Sequence, residues 1–173
     1  VCEVPGWGHQ LSPERVLGEM ASIGFTHTEL GSAGWLPTEP GALRSTLDAH
    51  GLQLLASFVP LVLHEPEAAR TSFEAALETA RLLAELGARY FNTAPVTSPD
   101  WQARSPLSDH QRSQLARILG EIDDLCADHG LHQVVHEHVG CVIETVDDVE
   151  WLLDSTSVDL VLDTGHLAIG GFD

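Results

Sequence analysis

Four glycines set the rhythm of this chain. Gly24, Gly51, Gly87 and Gly130 each end a segment whose apolar residues recur at helical spacing, and an apolar run follows each of them. A glycine enters the left-handed conformation that ends a helix without a Cβ penalty, so the four positions mark helix stops. The starts are marked as well. Ser12 precedes Pro13, and Ser108 and Thr145 stand three residues before Gln111 and Asp148, the spacing of side chains that cap a first turn. Helices are expected from Ser12-Pro13 to Gly24, over Glu39–His50 and Glu67–Leu86, from Ser108 to Gly130, and from Thr145 through Leu153. Strands are expected at Val1–Glu3, Thr26–Leu30, Leu52–Leu63, Ala88–Ala94, Leu131–His136 and Val158–Leu162. Six strands alternating with five helices make an α/β chain with a parallel sheet, either doubly wound or a barrel. A barrel is favoured, because polar residues follow several successive strands instead of gathering at one switch point. No G-x-G-x-x-G follows the first strand, which removes the main signature of a dinucleotide fold.

Composition narrows the chemistry. At 173 residues without an interdomain linker, the sequence is read as one domain. It has eight Arg, no Lys and 26 acidic residues, for a formal charge of −18. The missing lysine excludes a Schiff-base enzyme and a P-loop. The acidity argues against nucleic acid, whose phosphates it would repel. Cys2, Cys126 and Cys141 are too few and scattered for a disulfide framework, so a reduced, cytoplasmic setting is expected. No apolar run approaches the roughly 20 residues of a membrane span.

The polar residues at the strand ends are the candidates for function: Glu29, His64, Asn92, His136-Glu137-His138, and Asp163-Thr164-Gly165-His166. Side chains alternate along a strand, so His136 and His138 share a face with Glu137 opposite. If His136 and Asp163 both face the axis, an imidazole and a carboxylate meet from neighbouring strands, a pair suited to a divalent ion such as Mn²⁺, Co²⁺ or Zn²⁺. Plainer roles stay open. Asp163 can cap a following turn, Glu29 can pair with an Arg, and any one of the histidines can be a hydrogen-bonded structural residue. Trp7, Trp35 and Trp101 lie in loops on the same face, where they can stack on a substrate or cover the core.

Three segments carry a family resemblance. Thr28-Glu29-Leu30-Gly31 with Gly34-Trp35-Leu36-Pro37 is similar to the second strand–helix junction of inosose dehydratases. Val135-His136-Glu137-His138-Val139-Gly140-Cys141 with Glu144-Thr145 resembles their histidine-rich fifth strand. Leu162-Asp163-Thr164-Gly165-His166, closing with Gly170-Gly171-Phe172-Asp173, resembles their sixth. These enzymes belong to the xylose-isomerase-like TIM-barrel superfamily of sugar isomerases and epimerases, which bind one divalent ion.

The resemblance implies Asp163 and His136 as metal ligands, with Glu137 in reserve, and an ion among Mn²⁺, Co²⁺, Mg²⁺ and Zn²⁺. It places His138 and His166 at substrate-contacting positions and Glu29 at the mouth, which makes these three the catalytic candidates. His64 and Asn92 at their strand ends and Trp35 in its loop are the candidates for the substrate side. The expected reaction is dehydration of a keto-cyclitol or sugar. The ion acidifies the C–H beside a carbonyl, a base removes that proton to give an enediolate, and the β-hydroxyl leaves. Return of the proton would instead give isomerisation or epimerisation, and a degenerate, non-catalytic homologue is the alternative outside enzymes. The partner is a small polyol or sugar, with self-association left open. A barrel of this type has eight strands and about 250 residues. The six strands counted here are therefore expected to be the larger part of one. Strands seven and eight, with the His and Glu ligands they carry in the superfamily, have no counterpart.

Overall fold

The computed structural model describes residues 11–101 and 103–172. The expected strand at Val1–Glu3 lies outside the described residues. Within them, five strands alternate with six helices: α1 (Pro13–Ser22), β1 (His27–Glu29), α2 (Pro40–Asp48), β2 (Gln53–Leu61), α3 (Pro66–Glu85), β3 (Tyr90–Pro95), α4 (Asp109–Asp128), β4 (His132–His136), α5 (Val146–Ser155), β5 (Asp159–Val161) and α6 (Thr164–Gly170). All neighbouring strands are parallel and lie in sequence order, β1-β2-β3-β4-β5. Right-handed crossovers in that order carry the connecting helices α2–α5 to one face and bring the C-terminal strand ends to one rim. The site is built on that rim.

The caps act as the sequence indicates. The Ser108 and Thr145 side chains accept the N–H groups of Gln111 and Asp148, whose own side chains reach back to complete a capping box at each helix. Helix α4 then turns Leu115, Leu119, Ile122 and Cys126 inward at helical spacing, all with no exposed surface. They join Phe91 of β3 and Val135 of β4 in the main core. Truncating one such leucine would cost about 2–5 kcal/mol.

One element was not expected. After Asp163, where the sequence is compatible with a capped turn, the structure has the helix α6. Asp163 caps it, with Oδ1 accepting the N–H groups of Gly165 (2.9 Å) and His166 (3.0 Å). Among the described residues the sheet is open, with β1 and β5 as its edges. Beyond β5, Leu162 and, in α6, Ile169 are exposed apolar side chains, at 72% and 69%.

Candidate active site

Sheet register assembles the site. His136 of β4 is paired with Val161 of β5, so His138 and Asp163, each two residues further on, emerge together at the rim. Helix α6 then turns back and supplies His166. The result is a packed cluster. The His138 ring centroid lies 3.9 Å from that of His166 and 5.6 Å from that of His136, and the His136 and His166 centroids are 5.6 Å apart. Phe58 of β2 closes one side, edge-on to His136 at 5.5 Å. Trp101 lies parallel to Phe58 and meets His138 edge-on at 5.4 Å.

Asp163 divides its carboxylate between two tasks. While Oδ1 caps α6, Oδ2 faces His136 Nε2 at 3.7 Å and His166 Nε2 at 3.8 Å. Ligand atoms of His136, Asp163 and His166 all fall within 4.8 Å of one another. Those separations are too long for hydrogen bonds. They are close to the spacing of about 3.4 Å between ligands that sit about 2.1 Å from one tetrahedral ion. Both nitrogens of His136 are buried without a hydrogen-bond partner, a cost of about 1–3 kcal/mol for each unpaired group. An ion held by the three side chains satisfies one of them. The donor set of two imidazoles and a carboxylate fits a borderline divalent cation.

The electrostatics agree with that use. Burial, reinforced by the neighbouring His138 and partly opposed by Asp163, holds the His136 pKa below the usual imidazole value. Burial also lowers His138. Both rings are thus neutral near pH 7, the state that can ligate a metal or take a proton. The backbone N–H of His166, the nearby His166 and His136 rings, and the Gly165 N–H hold Asp163 below the carboxylate range. His138 Nδ1 lies 2.7 Å from the Val139 carbonyl oxygen. A carbonyl can only accept, so Nδ1 carries the hydrogen and Nε2 keeps the lone pair.

The remaining candidates separate into groups. Glu137 is fully buried, its Oε1 accepts the Asp163 backbone N–H at 2.9 Å, and it joins no ligand cluster among the described residues. Glu29 and Asn92 make a pair of their own, with Asn92 Nδ2 donating to Glu29 Oε1 at 3.4 Å. His64 follows β2 and is 7% exposed, with Nδ1 unpartnered; burial lowers its pKa against an opposing pull from Glu65. Trp35 packs against the core and donates its indole N–H to the Leu11 carbonyl at 3.2 Å, as a side chain covering the core does. Trp7 lies outside the described residues. Phe58 was not singled out in the sequence, where it is one apolar residue within an apolar run.

The sequence model of the xylose isomerase-like TIM barrel family matches residues 17–173. An inosose dehydratase of Geobacillus kaustophilus (strain HTA426) is 29% identical over 187 residues, spanning 99% of this chain and 59% of that protein. The rhizopine catabolism protein MocC of Rhizobium meliloti is 32% identical over 180 residues, spanning 99% and 54%. The crystal structure of IOLI protein with a binding zinc atom superposes with a TM-score of 0.75 at 16% identity, over 95% of this chain and 62% of that one. The chain thus spans less than two thirds of the length of each of these relatives.

Proposed function

This chain belongs to the xylose isomerase-like TIM barrel family, and from that membership we propose a metal-dependent dehydratase acting on a keto-cyclitol or sugar, of the inosose dehydratase kind. One observation carries the reading: His136, Asp163 and His166 converge around an imidazole whose buried nitrogens have no other partner. The relatives support the substrate class, since the Geobacillus protein is an inosose dehydratase and the Rhizobium protein serves rhizopine catabolism. IOLI, of like fold, was solved with zinc.

His136, Asp163 and His166 would hold the ion. A divalent ion there supplies Lewis acidity toward a carbonyl substrate. The other steps belong to this chain. His138, neutral and with its lone pair on Nε2, takes the proton from the carbon beside the carbonyl. The resulting imidazolium returns that proton to the departing β-hydroxyl, so that one water leaves and the charge balances. Glu29, Asn92 and His64 stand on the same rim, where they orient substrate hydroxyls. Phe58 and Trp101 exclude water from the histidine side. Further strands would complete the barrel against β5, a proposal supported by the exposed Leu162 and Ile169 and by the greater length of the relatives.

Proton NMR of keto-inositols and ketohexoses incubated with protein and Mn²⁺, Co²⁺, Mg²⁺ or Zn²⁺ in D₂O tests the reading. A dehydrated product is expected. An epimer carrying deuterium at the inverted carbon would replace dehydratase by epimerase, because proton return would have outrun hydroxyl loss. No turnover of any of these substrates by the protein carrying the strands that complete the barrel would reject the enzymatic reading.

A further inference from the structure

One ion-pair network near the cluster plays no part in that chemistry. Arg104 lies in the irregular segment between β3 and α4, three residues after Trp101. Its guanidinium pairs with Asp148, the N3 residue of α5, and its Nε is 3.8 Å from Glu144 Oε2. The two carboxylates are themselves committed to the backbone. Asp148 Oδ2 accepts from Thr145 N (2.9 Å), Thr145 Oγ1 (2.7 Å) and Glu144 N (3.3 Å). Glu144 Oε2 accepts from Gly140 N at 3.1 Å. Gly140 lies in the tight loop that begins at His138, closed by His138 N–H to Ile143 O (3.1 Å) and Cys141 N–H to His138 O (3.0 Å). Arg104 therefore joins two loops: its own, which carries Trp101, and the one that carries His138. Those two side chains touch.

Trp101 gives independent support. Its φ of 52° is the only positive value of any non-glycine residue among the described residues. A bulky side chain held in that region costs on the order of 1–3 kcal/mol and persists only where the surroundings over-determine it. The Trp101 N–H to Ser98 O turn, the parallel Phe58 ring and the Arg104 anchor are those surroundings.

Electrostatics make the anchor specific. Glu144 and Asp148 lie together in a chain of charge −18, and Arg104 is the cation that faces both. The other cation near them is Arg112, 3.9 Å from Asp148 Oδ1 and placed over the Trp151 ring at 5.2 Å. Without Arg104 the two carboxylates repel with little screening, because both are largely buried.

We propose that Arg104 is a positioning residue: by bridging Glu144 and Asp148 it sets Trp101 against His138 and holds the His138 ring in its working orientation. The inference rests on the proposed dehydratase reading for its activity readout alone. The experiment compares wild type with Arg104→Gln and Arg104→Lys, using Zn²⁺ content, the emission of Trp101 (wild type minus Trp101→Phe) with acrylamide quenching, and keto-inositol turnover with and without added guanidinium ion. Arg104→Gln is expected to keep its Zn²⁺ and its fold, to expose Trp101 to acrylamide, and to lose about 10–100-fold in kcat with a smaller change in KM. Guanidinium, which restores the bridging charge, should return part of that loss, and Lys should retain more than Gln. Unchanged Trp101 quenching in Arg104→Gln would overturn the proposal, whatever the activity. So would an activity loss that tracks unfolding and is not rescued by guanidinium. If wild type carrying the completing strands turns over no keto-inositol, the dehydratase reading fails, while the quenching comparison still decides the role of Arg104.

Discussion

Gly170 offers a sharp test of how α6 is docked. A methyl group placed there would lie 3.2 Å from the Glu144 carbonyl carbon and closer still to its oxygen, nearer than real Cβ atoms approach backbone. The obstacle is main chain and cannot rotate away, so α6 or the 144–146 segment must shift on the order of 1 Å. The overpacking costs about 1–3 kcal/mol, against a helix-propensity gain of at most about 1 kcal/mol for Gly→Ala. Gly170→Ala is therefore expected to be the less stable protein, with a melting point lower by about 2–4 °C per kcal/mol at this chain length. Gly120 in α4 is the control. It is exposed, and nothing lies within 4 Å of a Cβ built on it, so Gly120→Ala should gain about 0.5–1 kcal/mol. The shift also reaches the site, because α6 carries His166 and is capped by Asp163. Zinc affinity of Gly170→Ala should drop about tenfold, read by calorimetric titration beside the thermal melts. A Gly170→Ala protein as stable as Gly120→Ala, with wild-type zinc affinity, would refute the docking argument.

Further expectations concern single residues. His138→Gln should lower kcat by about 10²–10⁴-fold with a melting point near wild type; normal kinetics in a destabilised protein would make His138 a structural residue. Burial pushes the thiols of Cys126 and Cys141 up to about 12. Neither should be alkylated by iodoacetamide in the native protein at neutral pH, and peptide mass mapping reports each separately. Because their folded pKa values exceed the unfolded value of 9.0, the stability they contribute is complete below about pH 9 and is lost as pH rises toward about 12. Urea titrations across that range check the sign. Leu119, which has no exposed surface, should cost about 2–5 kcal/mol on replacement by Ala, read as a lower urea midpoint.

Much of the architecture was legible because local signals agreed with the fold. The capping boxes at Ser108 and Thr145 and the glycine stops set the helices, and the apolar runs between them are the strands. The period of two puts His136 and His138 on one face, and their ring centroids are 5.6 Å apart. Other features depend on contacts that no local pattern records. Helix α6 is seven residues long with no buried side chain, so it shows no inward stripe; its local signs are the Asp163 cap and the left-handed Gly171, which read equally well as a turn. Capping by Asp163 leaves its second oxygen free to face the imidazoles, since the two oxygens face different groups. The turn of α6 that brings His166 Nε2 within 3.8 Å of Asp163 leaves no mark in the local pattern. Arg104 and Asp148 are 44 residues apart, and a pairing at that distance leaves no periodic trace.

The account stands or falls on the three-residue metal centre, and Asp163→Asn addresses it most directly. Asparagine keeps the shape and the helix cap but removes the anionic oxygen that faces both imidazoles. Zn²⁺ and Mn²⁺ should be titrated calorimetrically into the metal-free wild-type and variant proteins, with circular dichroism to verify folding. The expected result is one equivalent bound by wild type and an affinity at least about tenfold weaker in the folded variant. Equal stoichiometry and affinity in the two proteins would contradict the account.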